Sequence, residues 1–122
     1  MRAGAFLLAI ALAGCATGQT YEGARRAPDE VARISGDLRV TAAPVTVILR
    51  KVDDYQLGWS ESSVDVLPGE HKLLVDCRIA ETASVTRHVV QAEVYAGEHY
   101  RLVAQTGPGV RDCASVTLEL ID

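Results

Sequence analysis

The chain lacks a hydrophobic run long enough to stay in a membrane. Its apolar stretch, residues 5–13, holds nine residues, which as a helix would cover only about 14 Å, under half of a ~30 Å hydrocarbon core. No later run approaches that length. Positive charge is also in short supply. There are 12 Lys and Arg against 16 Asp and Glu, a net charge of −4, whereas a nucleic-acid surface would carry a basic stripe. No Cys-x-x-Cys pair is present among the three cysteines, which removes the usual basis for a structural zinc site. Long stretches of helical periodicity and internal repeats are missing too.

What stands at the start is a basic residue, Arg2, then the short apolar run, then Leu12-Ala13-Gly14-Cys15. A positive start, a short apolar middle and small residues at the end are the parts of an export signal. The last four residues resemble the lipobox of bacterial lipoprotein precursors. That resemblance implies that the Cys15 thiol, a soft nucleophile, is alkylated with diacylglycerol. Cleavage then falls on its amino side, and the new terminus is usually acylated too. Leu12 fills an apolar subsite, while Ala13 and Gly14 let a peptidase approach the backbone. Two or three acyl chains make a stable anchor where one holds weakly. Residue 16 is Ala; in enterobacterial lipoproteins Asp at that place favours inner-membrane retention, so the outer membrane is the expected site.

Cleavage at that point makes residues 1–14 a lipoprotein signal peptide and leaves 108 residues with 11 basic and 16 acidic groups, net −5. That is the size of one domain with a real core. Cys77 and Cys113 then remain as an even pair in an oxidising compartment. A bridge would close about 37 residues and contribute ~3–4 kcal/mol in the chain-entropy model. Two buried free thiols are the alternative.

Residues 16–26 are polar and without period, and 15–27 is expected to be a lipidated tether. A domain over 28–122 follows. Pro28-Asp29-Glu30-Val31 suits a single helical turn, Val31-Ala32-Arg33-Ile34 a short strand, and residues 38–41 a second extended piece. From Val45 the period is two: Val45, Val47 and Leu49 share a face opposite Thr46, Ile48 and Arg50. Asp53-Asp54 ends that strand, and a loop around Gly58 and Trp59 leads into extended residues 62–67. Beyond Pro68-Gly69, His71, Leu73, Val75 and Cys77 share one face. Val90, Ala92 and Val94, then Tyr100, Leu102 and Ala104, then Val116, Leu118 and Leu120 repeat the pattern, with breaks at residues 96–98 and 106–109. Six to eight short strands at this spacing predict an all-β fold, a small antiparallel β-sandwich.

Several of these residues carry a family resemblance. Tyr21-x-Gly23, Pro28-x-Glu30-Val31-Ala32-x-Ile34, Val66-Leu67-Pro68-Gly69-Glu70-His71 and Gly97-x-x-Tyr100-x-Leu102 are similar to a group of small proteobacterial lipoproteins. The Pro-Gly-Glu-His turn before an alternating strand also resembles PEGA-type and other transthyretin-like sandwich modules. The resemblance covers nearly all of the chain after Cys15 and implies an envelope location and a sandwich, immunoglobulin-like or transthyretin-like. It implies no activity. One departure is Asp54, where such modules often place Gly.

Residues capable of chemistry are scattered. His71 and His99 each follow a Glu at a turn exit, and adjacent strand residues point to opposite faces, so neither pair is a preformed ligand set; His88 lies on another strand. All three are expected to be solvated, with no metal and no cofactor beyond the lipid on Cys15. Ser60-Glu61-Ser62-Ser63 lacks the context of a nucleophile elbow, and Asp53-Asp54 alone falls short of a calcium site. Trp59 is the sharpest binding candidate. With Tyr55 nearby it could stack on a sugar ring or anchor a partner protein; otherwise it caps an open end of the core. The expected function is a non-enzymatic, membrane-anchored envelope lipoprotein that offers loops or a strand edge to a protein. The alternative is a module binding glycan or cell-wall polymer through Trp59 and Tyr55. Replacing Cys15 by Ser should abolish acyl labelling and release processed protein from the membrane; unchanged labelling would contradict the lipobox reading.

Overall fold

The computed structural model describes residues 16–121, so the expected signal peptide 1–14 and lipidation site Cys15 lie outside the described residues. Nine strands form two sheets: β1 (Ala16–Gln19), β2 (Ala32–Ser35), β3 (Val45–Val52), β4 (Tyr55–Gln56), β5 (Glu61–Val66), β6 (Gly69–Ile79), β7 (Ser84–Val94), β8 (His99–Thr106) and β9 (Cys113–Leu120). The first sheet runs β1-β5-β2-β8-β9 and the second β4-β3-β6-β7. Among the described residues two short 3-10 turns, Pro28–Glu30 and Pro108–Val110, complete the regular structure. Among the described residues no helix is long and apolar enough to cross a membrane.

One core serves both sheets. Ile34, Val64, Val66, Leu102 and Val116 of the first pack with Leu49, Val52, Leu73, Val75, Ile79 and Val94 of the second. Period-two alternation is what turns these side chains inward. In β3 the alternation breaks: the register with β6 shifts between Leu49 and Lys51, and the extra residue brings Val52, fully buried, back to the core.

The structure corrects the expected antiparallel sandwich. The second sheet is antiparallel throughout, but the first is mixed, because β1 pairs with β5 and β2 with β8 in parallel. The count rises from six to eight strands to nine because two short strands border the sheets. β4 has two residues, and β1 lies inside the segment expected to be a tether.

That tether is corrected as well. After β1 the chain folds back over the first sheet instead of hanging free. The Gln19 side-chain amide donates to the carbonyls of Tyr21 (3.1 Å) and Gly23 (2.8 Å). Arg26 donates its backbone N–H to the Tyr21 hydroxyl and sets its guanidinium 5.6 Å from that ring. Arg25 reaches the buried Asp65 carboxylate at 2.8 Å. Nothing in the local period reveals the docking, because the strand that β1 pairs with and the carboxylate that Arg25 meets lie 40 or more residues away. The extended piece expected at 38–41 is not a strand either. Residues 36–44 instead carry the chain between the sheets, fastened where Asp37 trades two bonds with Val47: its N–H to the Val47 carbonyl (2.7 Å) and its carboxylate from the Val47 N–H (2.8 Å). Gly36 permits this approach, since a Cβ there would lie 2.9 Å from the Leu49 nitrogen.

Cys77 of β6 and Cys113 of β9 form a disulfide across the two sheets. Replacing both cysteines by Ala should cost roughly 3–4 kcal/mol in urea denaturation. Non-reducing peptide mapping should recover both in one linked fragment; free alkylation of both without reductant would contradict the bridge.

Candidate functional site

The two lateral sides of the fold differ. On one side, where β1 and β4 are the outermost strands of the two sheets, β4 is fastened by side chains to the start of β5, the strand that β1 pairs with. The Tyr55 hydroxyl donates to both oxygens of Glu61 (2.8 and 3.0 Å), and the Gly58 N–H donates to Glu61 Oε1 at 2.9 Å. Burial first, and the Glu61 carboxylate second, push the Tyr55 phenol above its ordinary value, so it stays a donor at neutral pH. Gly18 of β1 lies against this pair. A Cβ at residue 18 would collide with the Tyr55 hydroxyl and come within 2.8 Å of a Glu61 oxygen. Thr17 and Ser63 share a hydroxyl hydrogen bond of 2.7 Å just beyond.

The opposite side is open. β7 is paired with β6 along its whole length, from Gly69↔Val94 to Ile79↔Ser84, and among the described residues its other edge meets no strand of its own sheet. Among the described residues β9 is likewise paired with β8 alone. Between these edges runs a groove of about 510 Å³, lined by residues 89–93 of β7, by Tyr100, and by residues 116–118 of β9. Val85 and Val89 are more than half exposed along β7, as are Leu120 and Tyr95 near its end. Native edges are usually shortened or blunted; this one is eleven residues long.

The candidates named from sequence fall in separate places. Trp59 does not cap the core: it stands 78% exposed at the turn between β4 and β5. Tyr55 packs against the core, with its hydroxyl held by Glu61, so the two rings do not form one stacking platform. The histidines are dispersed. His71 sits opposite Ala92 and His88 opposite Val75, four residues apart along the β6–β7 ladder, or about 13 Å. His99 belongs to the other sheet. Among the described residues no three His, Cys, Asp or Glu groups gather where a metal ion could be held.

His71 departs from the expected solvated histidine. Its side chain is only 12% exposed. Nδ1 meets Asp53 Oδ2 at 2.5 Å and Nε2 meets the Leu67 carbonyl at 2.7 Å, tying the β3–β4 hairpin to the turn before β6. Asp53 adopts positive φ (52°), the conformation that Gly often supplies in such turns. Its carboxylate also accepts the Lys72 N–H at 3.0 Å. The hairpin tip is therefore a clamp as well as a solvated turn.

Sequence reasoning missed the two buried carboxylates, one on each sheet. Asp65 is held by Arg25 and by Arg33, whose Nε is 2.7 Å away. Asp76 is held by Arg87 at 2.9 Å and Arg50 at 3.5 Å. A lone Asp on the polar face of a strand pattern is the only signal either leaves. Both serve packing. Comparison with protein-family models, curated proteins and solved structures finds no match for this chain.

The clamp has a pH signature. Burial pushes the Asp53 carboxyl upward, but the Lys72 N–H and the His71 ring outweigh it and hold it below its ordinary value. A carboxyl lowered on folding stabilises the fold above the ordinary carboxylate range, and that stability is lost as pH falls through the lowered value. Asp53 is nearly half exposed, so Asp53→Asn should cost about 1 kcal/mol or less at pH 7. Urea denaturation at pH 7, 5 and 3 should show the difference from wild type shrinking towards the acid end.

Proposed function

We propose that this chain is a non-enzymatic, lipid-anchored module of the bacterial envelope that binds an extended polypeptide segment alongside β7. The anchor is the lipid on Cys15, expected from Leu12-Ala13-Gly14-Cys15. The module faces the periplasm, with the outer membrane favoured by Ala16. We read the two sheets as an immunoglobulin-like or transthyretin-like sandwich of the PEGA-like kind.

The observation that carries the binding reading is the eleven-residue β7 with one unpaired edge beside a groove lined by Val90, Ala92, Val116 and Leu118. An added strand takes affinity from main-chain hydrogen bonds and specificity from alternate side chains entering such a groove. The non-enzymatic reading is supported by how the titratable groups are spent. His71 joins two turns, Glu61 holds Tyr55, and Asp65 and Asp76 are saturated by arginines. A second reading, a module for glycan or cell-wall polymer, rests on the exposure of Trp59. It would use one ring, since Tyr55 is engaged elsewhere.

A photo-crosslinking residue at Val89 or Gln91 in the native envelope should give a discrete polypeptide adduct, while one at Glu22 on the far side should not. Val89→Lys, which puts on the edge the charge that natural edges use against pairing, should weaken the adduct several-fold. Adducts missing from both β7 positions would reject edge binding.

A further inference from the structure

We infer that the corner of the fold bearing Trp59 rests on the lipid bilayer, with the indole in the headgroup layer and Leu38 and Val40 beside it. The inference rests on the reading that Cys15 carries lipid. Residue 16 is the next residue in the chain, and it is not free to swing. The Ala16 N–H donates to the Ser60 carbonyl at 3.3 Å, and Ala16 pairs with Glu61 at the start of the parallel ladder. Consecutive Cα atoms are 3.8 Å apart. A diacylglycerol on the Cys15 sulfur, seated among lipid tails, therefore holds residues 59 and 60 within about 10 Å of the interface.

What lies there suits that surface. Trp59 is 78% exposed and Val40 83%, and Leu38 is about half exposed. Arg39, between the two aliphatic residues, donates to the carbonyl of Gly58 at 3.3 Å, which puts all three on adjoining turns. Indole rings favour the boundary between water and hydrocarbon, where an apolar body and a polar N–H are both accommodated. The nearby acids direct their carboxylates to internal donors and keep their charge: Asp37 accepts from the Val47 N–H, Glu61 from Tyr55 and Gly58.

The test uses the mature chain from Cys15. With Cys77 and Cys113 joined, Cys15 is its one free thiol, so a maleimide lipid can be coupled there whether or not cells lipidate it. Bound to vesicles of phosphatidylethanolamine and phosphatidylglycerol, the single tryptophan should shift to the blue. Lipids brominated near the headgroup should quench it at least twofold more than lipids brominated at the chain end. Leu38→Ser with Val40→Ser, both solvent-facing, should reduce that quenching by half or more while the anchor stays in place. Emission identical to that of the uncoupled chain would overturn the docking, as would a shift produced only by soluble cell-wall glycan or by a protein. Acyl labelling of Cys15 in cells is scored separately. Labelling without quenching would refute the docked corner alone, and absent labelling would refute the anchor and the docked state in the cell together.

Discussion

The parallel pairing of Ala16–Gln19 with β5 is the constraint on which the rest of the molecule turns. It is an unpromising strand by composition, Ala-Thr-Gly-Gln, and it exists because three things receive it. Gly18 leaves room for the Tyr55–Glu61 pair, Ser63 takes the Thr17 hydroxyl, and Arg25 returns from the following loop to Asp65. Asp65 is 3% exposed, and a charge buried that deeply persists only when paired and hydrogen-bonded. Its two arginines, one from the returning loop and one from β2, satisfy it together. Removing a partner from such a group ordinarily costs ~3–5 kcal/mol. The same carboxylate thus holds the amino-terminal segment down and joins β5 to β2.

Closing one side decides the character of the other. Beneath β1, Tyr55 of β4 is tied to Glu61 of β5, whereas among the described residues β7 and β9 face each other across a groove with no comparable tie along its length. The Cys77–Cys113 bridge connects the sheets through β6 and the first residue of β9. It restrains the spacing of the two layers near one end of β9. Toward the other end, Leu118 and Leu120 alternate between partial burial and exposure. A rigid closed side and a less restrained open one are what strand addition needs: a fixed template and space for the incoming side chains.

The strand interiors were legible in the sequence because alternation is a local signal. Leu73, Val75 and Cys77, or Val64 and Val66, announce a buried face to anyone counting by twos. What escaped was non-local. The parallel pairings of β1 with β5 and β2 with β8 leave no trace in period, since a parallel partner is reached only through a long connection. The turn takes positive φ at Asp53, one residue before the Asp54 position where similar modules often place Gly, and the Asp53 side chain finds Lys72 and His71. His71 looked solvated because its two acceptors, Asp53 and Leu67, lie on different turns. Trp59 could be placed on a loop but not inside or outside the core, because exposure is set by tertiary packing that local period does not record.

A docked β1 changes what an anchor at Cys15 would accomplish. A free segment of residues 16–26, even half extended, would allow the domain to stand tens of ångströms from the bilayer at ~3.3 Å per residue. With Ala16 bonded to Ser60 that reach is gone, and orientation replaces it. The corner at Ala16 lies on the side where β1 and β4 are outermost, and sheet order puts β7 and β9 at the far side of both sheets. A lipid at Cys15 would then direct the open groove away from the membrane surface while keeping it within one domain's width of it. On the proposed reading a segment binding there would not compete with lipid for the groove, and the apolar residues on the two sides would serve different surfaces: Trp59, Val40 and Leu38 the bilayer, Val85 and Val89 the added strand. The reading predicts independence. Loss of the indole should loosen orientation without touching the groove, and a charge on β7 should block the strand without releasing the domain from lipid.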